Sequence, residues 1–273
     1  MENKRIKFGP AGLGPVKDAI KNLENLKKLG MRACEISFTY GVYIKEDDAK
    51  KIGETAKKLG IQLSIHAPYW INLNSAEIEK VEKSKKRIIE CLRIGTFLGA
   101  RYVVFHPAFY GKFSKEETYE NTKKEIIELE EIRRKEKYTP LLAPETMGKI
   151  NVFGSTQEIA RLVRDTGCHA CIDFAHILAR SGGDYKFKET FDLFKEFKEF
   201  HIHFSGIEFG DKGEKNHLPT PASEWKKLLR NIPKNKNVVV INESPSMLED
   251  SIEGLKICKA LSESNSLPVK TPC

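Results

Sequence analysis

Hydrophobic residues fall into two alternating patterns along the chain. Short runs rich in β-branched residues recur as RIKFG, ACEISF, QLSIHA, YVVFHP, LLAPE, ACIDFA, FHIHFS and VVVINE. Between them lie longer stretches such as VKDAIKNLENLKKLG, AKKIGETAKKLG and IEKVEKSKKRIIECLRIGTFLG, where apolar residues return every three or four positions. The first pattern predicts strands and the second amphipathic helices. Gly30, Gly60 and Gly99 close three of the helical stretches, where C-caps are expected. Strand–helix alternation repeated eight times, with strands apolar on both faces, predicts an α/β fold, a (β/α)8 TIM barrel. A doubly wound open sheet is the alternative, but no G-x-G-x-x-G follows the first strand. No Ser/Gly/Pro-rich linker interrupts the 273 residues, so a single domain over 1–273 is expected, its last ten or so residues a loose tail.

A barrel places its chemistry at the carboxyl ends of the strands, because the βα loops gather there. Those ends carry His66, His106, Glu145, Asp173 with His176, His203, and Glu243. Singly, each has a plain structural explanation: a hydrogen-bonded histidine, or a carboxylate capping a helix, as Asp173 would cap one starting near His176. That explanation must be repeated at six strand ends, all on one face. Buried carboxylates and imidazoles brought together would repel or protonate unless a cation neutralised them. Mixed His nitrogen and carboxylate oxygen ligands suit zinc, with manganese the alternative.

Composition adjusts this picture slightly. The formal charge of +8 suits a phosphate-bearing partner, although charge alone does not identify one. Lys and Glu are abundant while Gln occurs at 62 and 157 alone, a balance associated with hot environments. The opening MENKRIKFGP carries no apolar leader and no stretch is long enough to span a bilayer, so a soluble cytoplasmic monomer without membrane partners is expected. Cysteines 34, 91, 168, 171, 258 and 273 are too scattered for a secreted disulfide framework. Cys168 and Cys171 form a lone CxxC, read as buried structural thiols in preference to a zinc knuckle or redox pair. KVEKSKKR and RRKEK are read as solvated helix faces, Trp225 and FDLFKEFKEF as core aromatics.

The run SIHAPYWINL, the strand ends FHP, PET and CIDFAH, and the closing NES resemble the endonuclease IV family of apurinic/apyrimidinic endonucleases, in order and spacing over residues 62–243. HAPY-x-INL is the specific element; FHP and PET gain weight from their order. The resemblance implies a (β/α)8 barrel with three zinc ions that cuts duplex DNA 5′ of an abasic nucleotide, in an intracellular, nucleoid-associated setting. It implies that His66, His106 and a bridging Glu145 hold one zinc, and that Glu145, Asp173, His203 and Glu243 hold a second. His176 and His217 match the two histidines of the third. Tyr69 matches a tyrosine beside the abasic pocket, and Trp70 stands where an apolar side chain enters the base stack.

The chain departs from that family after its seventh strand. His203-Phe-Ser-Gly-Ile-Glu208 replaces the usual His-x-Asn-Asp-Ser-Lys, and Lys215 occupies the position of the third site's aspartate. A protonated lysine cannot ligate zinc, so two tightly held metals are expected and a third that is weak, absent or held by a substitute carboxylate, Glu214 first, with Asp211 and Glu208 behind it on a flexible, Gly-bounded loop. FTYGVYIKE also replaces the family's DNA-reading loop after strand two. Two other functions compete. A sugar isomerase or epimerase resembling xylose isomerase needs one metal, which Glu145, Asp173, His203 and Glu243 would hold, leaving His66, His106 and His217 unexplained. A protein that binds damaged DNA without cutting it would follow if the altered third site had lost its chemistry.

Overall fold

The computed structural model describes residues 5–264. The eight apolar runs form eight parallel strands: β1 (Ile6–Pro10), β2 (Ala33–Ser37), β3 (Gln62–His66), β4 (Tyr102–Phe105), β5 (Leu141–Pro144), β6 (Cys171–Asp173), β7 (Glu199–Phe204) and β8 (Asn237–Asn242). Hydrogen bonds order them as β1-β8-β7-β6 and β2-β3-β4-β5. Two seams close the barrel. Between β5 and β6, Glu145 pairs with Cys171, and the Thr146 N–H donates to the Cys171 carbonyl at 3.1 Å. Between β1 and β2, the Arg32 N–H donates to the Phe8 carbonyl at 3.1 Å. Gly9 makes that approach possible: a Cβ there would sit 1.8 Å from the Ala33 carbonyl oxygen.

Helices α1 (Ala19–Lys28), α2 (Glu46–Leu59), α3 (Ile78–Leu98), α4 (Lys115–Lys135) and α5 (Thr156–Thr166) follow β1 to β5. Ser114 and Ser155 start α4 and α5 with reciprocal capping boxes to Glu117 and Glu158. Gly60 and Gly99 end α2 and α3 in the left-handed conformation. The connection from β6 to β7 holds two short helices, α6 (Phe174–Arg180) and α7 (Phe187–Leu193), where the repeat predicts one. Gly182 and Gly183, at φ +73 and +118, turn the chain between them. Helices α8 (Ala222–Asn231) and α9 (Met247–Ser264) complete the ring.

Trp225 is fully buried, its ring 5.8 Å from Phe8 and 5.0 Å from Phe204, and Phe191, Phe194 and Phe200 are buried as expected. The five described cysteines are buried and free, Cys168 and Cys171 included; Cys273 and the expected tail lie outside the described residues. No described helix is long and apolar enough to cross a membrane. The KVEKSKKR run needs one correction. Lys85 is buried and meets Glu82, Glu125 and Glu128 at 2.7–2.9 Å, tying α3 to α4. Three carboxylates around one ammonium compensate its lost hydration, which alternation of charge along the sequence does not reveal.

Gly9→Ala is expected to cost about 3 kcal/mol or more, since the clash is with backbone that cannot step aside. A fall in the urea midpoint with an unchanged slope would register it; parental stability would show that the seam opens freely.

Candidate metal centre

Each predicted ligand lies at the carboxyl-terminal mouth of the barrel. His66 and Asp173 end β3 and β6, His203 lies near the end of β7, and His106, Glu145 and Glu243 follow β4, β5 and β8 directly. Strand register sets Asp173 beside His203, so both side chains enter the barrel on one level. Fully buried Glu145 is at the centre. Its Oε2 lies 3.3 Å from His66 Nε2 and 3.0 Å from His106 Nε2, and its Oε1 is 2.9 Å from His203 Nδ1. Glu243 Oε2 approaches the same His203 nitrogen at 3.2 Å. Burial alone would raise the Glu145 pKa, but His203, His106 and His66 hold it well below the usual carboxylate range. Asp173 goes the other way: burial and the nearby Glu145 and Glu243 raise it, against the pull of His176.

Two backbone carbonyls settle which histidine nitrogens are free. The His66 Nδ1–H donates to the Ala67 carbonyl at 2.8 Å, and the His176 Nδ1–H donates to the Thr146 carbonyl at 2.9 Å. A carbonyl can only accept, so each neutral ring turns an Nε2 lone pair inward. Those lone pairs face carboxylates, Glu145 for His66 and Glu214, at 3.3 Å, for His176. Lone pair against anion is repulsive unless a proton or a metal lies between. Without a metal, the carboxylates overcome burial and raise both His66 and His176 to about 9. Asp173 Oδ2 and Glu214 Oε2 are also buried without a hydrogen-bond partner. Asp173 does cap α6, but through Oδ1, which accepts the His176 N–H at 2.9 Å. Its second oxygen is left over for the site. This donor set fits divalent cations.

Among the described residues, ligand-type atoms within 4.8 Å of one another form four groups: at the mouth, His66, His106 and Glu145; Glu145, Asp173, His203 and Glu243; and Asp173, His176 and His217; and below it Cys171, His201 and His203, which shares His203 with the second. The third group sits under an antiparallel hairpin, Gly206–Gly210 paired with Gly213–Leu218, where a flexible loop is expected. The ladder slips between Glu208 and Phe209, which pair with Asn216 and Glu214, and Lys215 is the extra residue. A bulge realigns the side chains on either side of it. Lys215 points outward to Glu208 at 3.3 Å, Glu214 reaches His176, and His217 accepts from or donates to Ser205 Oγ at 2.7 Å. Glu208 is thus engaged outside, and Asp211 lies exposed at the hairpin tip. Of the three candidate substitutes, Glu214 faces the site. Gly148 makes room for it, because a Cβ there would lie 2.3 Å from Glu214 Oε2.

Tyr69 and Trp70 are 54% and 63% exposed at the rim, a high value for such large apolar side chains. The Tyr69 ring stands 6.0 Å from His66 and 5.9 Å from His106, directly over the first group. Two residues of the polar interior, Glu35 and His201, are absent from the strand-end expectation because they lie one layer deeper. Both are fully buried and meet at 3.0 Å. Their signal was a charged residue inside the apolar run ACEISF, and a second histidine two residues before His203, on the same face.

The fold and this cluster together define a TIM barrel with a multi-ligand metal-type centre at its carboxyl-terminal face. Residues 23–261 match the family described as xylose isomerase-like TIM barrel, and the chain belongs to it. It is 40% identical over 262 residues to an uncharacterized protein of Methanocaldococcus jannaschii, covering 90% of this chain and 94% of that one. It is 32% identical over 148 residues to a probable endonuclease 4 of Aquifex aeolicus, about half of each protein (52% and 51%). Other endonuclease 4 relatives accompany it, which bears out the resemblance read from the motifs. Among solved structures, endonuclease IV from Thermus thermophilus aligns with TM-score 0.65 at 23% identity, over 95% of this chain and 99% of that one. A D-tagatose 3-epimerase-like protein aligns with TM-score 0.71 at 19% identity, over 94% and 97%. Backbone shape therefore does not separate nuclease from epimerase.

Gly148→Ala is expected to push the Glu214 carboxylate off His176 and so reproduce the metal content of Glu214→Gln, about one equivalent below the parent. Circular dichroism should stay unchanged in both. Full metal content in Glu214→Gln would detach that residue from the centre.

Proposed function

We propose that this protein is a metal-dependent DNA-repair endonuclease that hydrolyses the phosphodiester 5′ of an abasic site in duplex DNA, leaving a 3′-hydroxyl and a 5′-deoxyribose phosphate. The observation that carries the proposal is that three of the four ligand groups lie together at the mouth, where a one-metal sugar enzyme needs one. His66 and His106 with Glu145 form the first site, and Glu145, Asp173, His203 and Glu243 the second. His176, His217 and Glu214 form the third. Zinc suits this nitrogen and oxygen set, and manganese is the alternative. Bound there, the metals would supply Lewis-acid stabilisation of charge on the phosphate oxygens and a low-pKa water.

The protein's own part is positional. Glu145 and Glu243, as the catalytic carboxylates, hold the first two sites at a common centre, Glu145 fully buried and Glu243 partly open at the mouth. Tyr69, with its ring over His66 and His106, offers an aromatic face at the rim where an extruded abasic nucleotide would pass, and Trp70 offers an apolar wedge beside it. The net charge of +8 favours a polyanion.

The rival with an observation in its favour is a sugar epimerase, because the one-metal quartet is complete within the second group. Incubation with a duplex carrying one tetrahydrofuran abasic analogue, together with elemental analysis, separates the readings. Nicking 5′ of the analogue with two or three metals per chain is expected. One metal and no nicking would favour the epimerase, and tight binding of the duplex without nicking would indicate a damage-recognition protein.

Glu145→Ala is expected to bring nicking below detection and to lower metal content, with the fold intact, since the residue lies at the mouth. Near-parental turnover would remove Glu145 from the bridging role. Tyr69→Ala is expected to weaken binding of the abasic duplex at fixed salt by about 1–3 kcal/mol, or about 5- to 150-fold in Kd, with metal content unchanged. Equal affinity would remove the ring from the interface.

A further inference from the structure

One layer beneath the mouth, the barrel interior is polar where bulky aliphatic side chains usually fill it. Glu35 on β2 is fully buried, and register places it beside Ser64 on β3. Its Oε2 accepts from Ser64 Oγ at 2.7 Å and meets His201 Nε2 at 3.0 Å. Its Oε1 lies 3.0 Å from His203 Nε2 outside hydrogen-bond geometry, so both buried atoms are without a hydrogen-bond partner. The opposite nitrogen, His203 Nδ1, faces Glu145 and Glu243 in the centre above.

A neutral imidazole has one N–H and one lone pair, and a ligand nitrogen must offer the lone pair. Carboxylates flank both nitrogens of His203, so the ring alone does not choose between them. The choice is made by which carboxylate must keep the proton. Glu145 and Glu243 share their charge with other ligands at the mouth. Glu35 has a fixed oxygen, pinned by Ser64 and His201, in a side chain sealed from bulk solvent. A buried carboxylate left without a donor on one oxygen is costly, and His203 Nε2, 3.0 Å from Glu35 Oε1, is the nitrogen placed to supply that donor after a small reorientation.

We infer that Glu35 is the positioning residue of this centre: it holds the proton of His203 on Nε2 and so presents Nδ1 as the ligand of the second site. The inference rests on the metal-centre part of the proposed function and not on its substrate. β2, which contributes nothing to the mouth cluster, thereby supports the centre from below. A carboxylate behind a ligating histidine fixes ring orientation and raises ligand basicity, and its loss commonly lowers metal affinity about 10–100-fold.

Competition of the purified protein against a chromophoric chelator, with zinc alone as the probe, tests this without reference to any nucleic acid. In Glu35→Gln, one zinc per chain is expected to bind about 10–100-fold more weakly, while the rest keep parental affinity. Ser64→Ala removes an anchor of Glu35 but leaves its contact with His203, and should stay within about threefold of the parent. Parental affinity in Glu35→Gln, or equal losses in both variants, would overturn the assignment, the second by pointing to a packing defect. So would a parent that binds no zinc. Should Glu35→Gln fail to fold, histidine-selective nitrogen NMR of the zinc-loaded parent decides: a protonated His203 Nε2 supports the assignment and a bare one overturns it. Failure to nick abasic duplex with these affinities unchanged would reject the nuclease reading and leave Glu35 in place.

Discussion

Charge balance around Glu145 is the constraint on which the mouth of the barrel depends. A carboxylate with no access to water sits among imidazoles from three different strand ends, and neither partner is stable there alone. Protons can balance the set, as the raised histidine pKa values imply, but two rings are held by backbone carbonyls in the tautomer that offers a lone pair inward. The strands are thus organised to present ligand atoms before anything binds. Preorganisation of that kind is expected where a cation, and not a proton, completes the site.

Much of this was legible in the sequence, for a physical reason. Parallel strands buried on both faces have little choice of composition, so a histidine or carboxylate at the end of an apolar run is conspicuous. His66, His106, Glu145, Asp173, His203 and Glu243 were found in this way. Periodicity located the eight strands, and two short helices stand where one was expected because a glycine pair breaks the stretch. Less legible were features that depend on register. Glu35 and His201 lie inside strands, where one polar residue reads as an irregularity until its cross-strand neighbours are known. The hairpin over the third group looked like a loop because its strands are short and rich in glycine and charge. Lys85 looked solvated because its carboxylate partners include two on another helix.

The fold carries a second message about its family. Solved structures of an endonuclease IV and of a D-tagatose 3-epimerase-like protein share this backbone, so the fold alone does not choose between them. Around the quartet of Glu145, Asp173, His203 and Glu243 this chain adds His66 and His106 on neighbouring strands, a helix whose cap also faces the site, and a hairpin that brings Glu214 and His217. Function on this scaffold follows from what surrounds the common core, and small changes in the βα loops redirect it.

The bulge at Lys215 has an implication for how such a site changes over time. In an unbroken ladder, neighbouring side chains alternate between the faces, so Glu214 and His217, three residues apart, would face opposite sides. One surplus residue brings them to the same side. The hairpin therefore acts as a vernier: lengthening or shortening it by a single position exchanges which charge is shown to the interior, acid or base, without altering any residue in the barrel. Lys215, whose ammonium would repel a cation, is turned out to Glu208, while the neighbouring Glu214 is turned in to His176. Which charge faces the interior in this region is a property of spacing as much as of residue type.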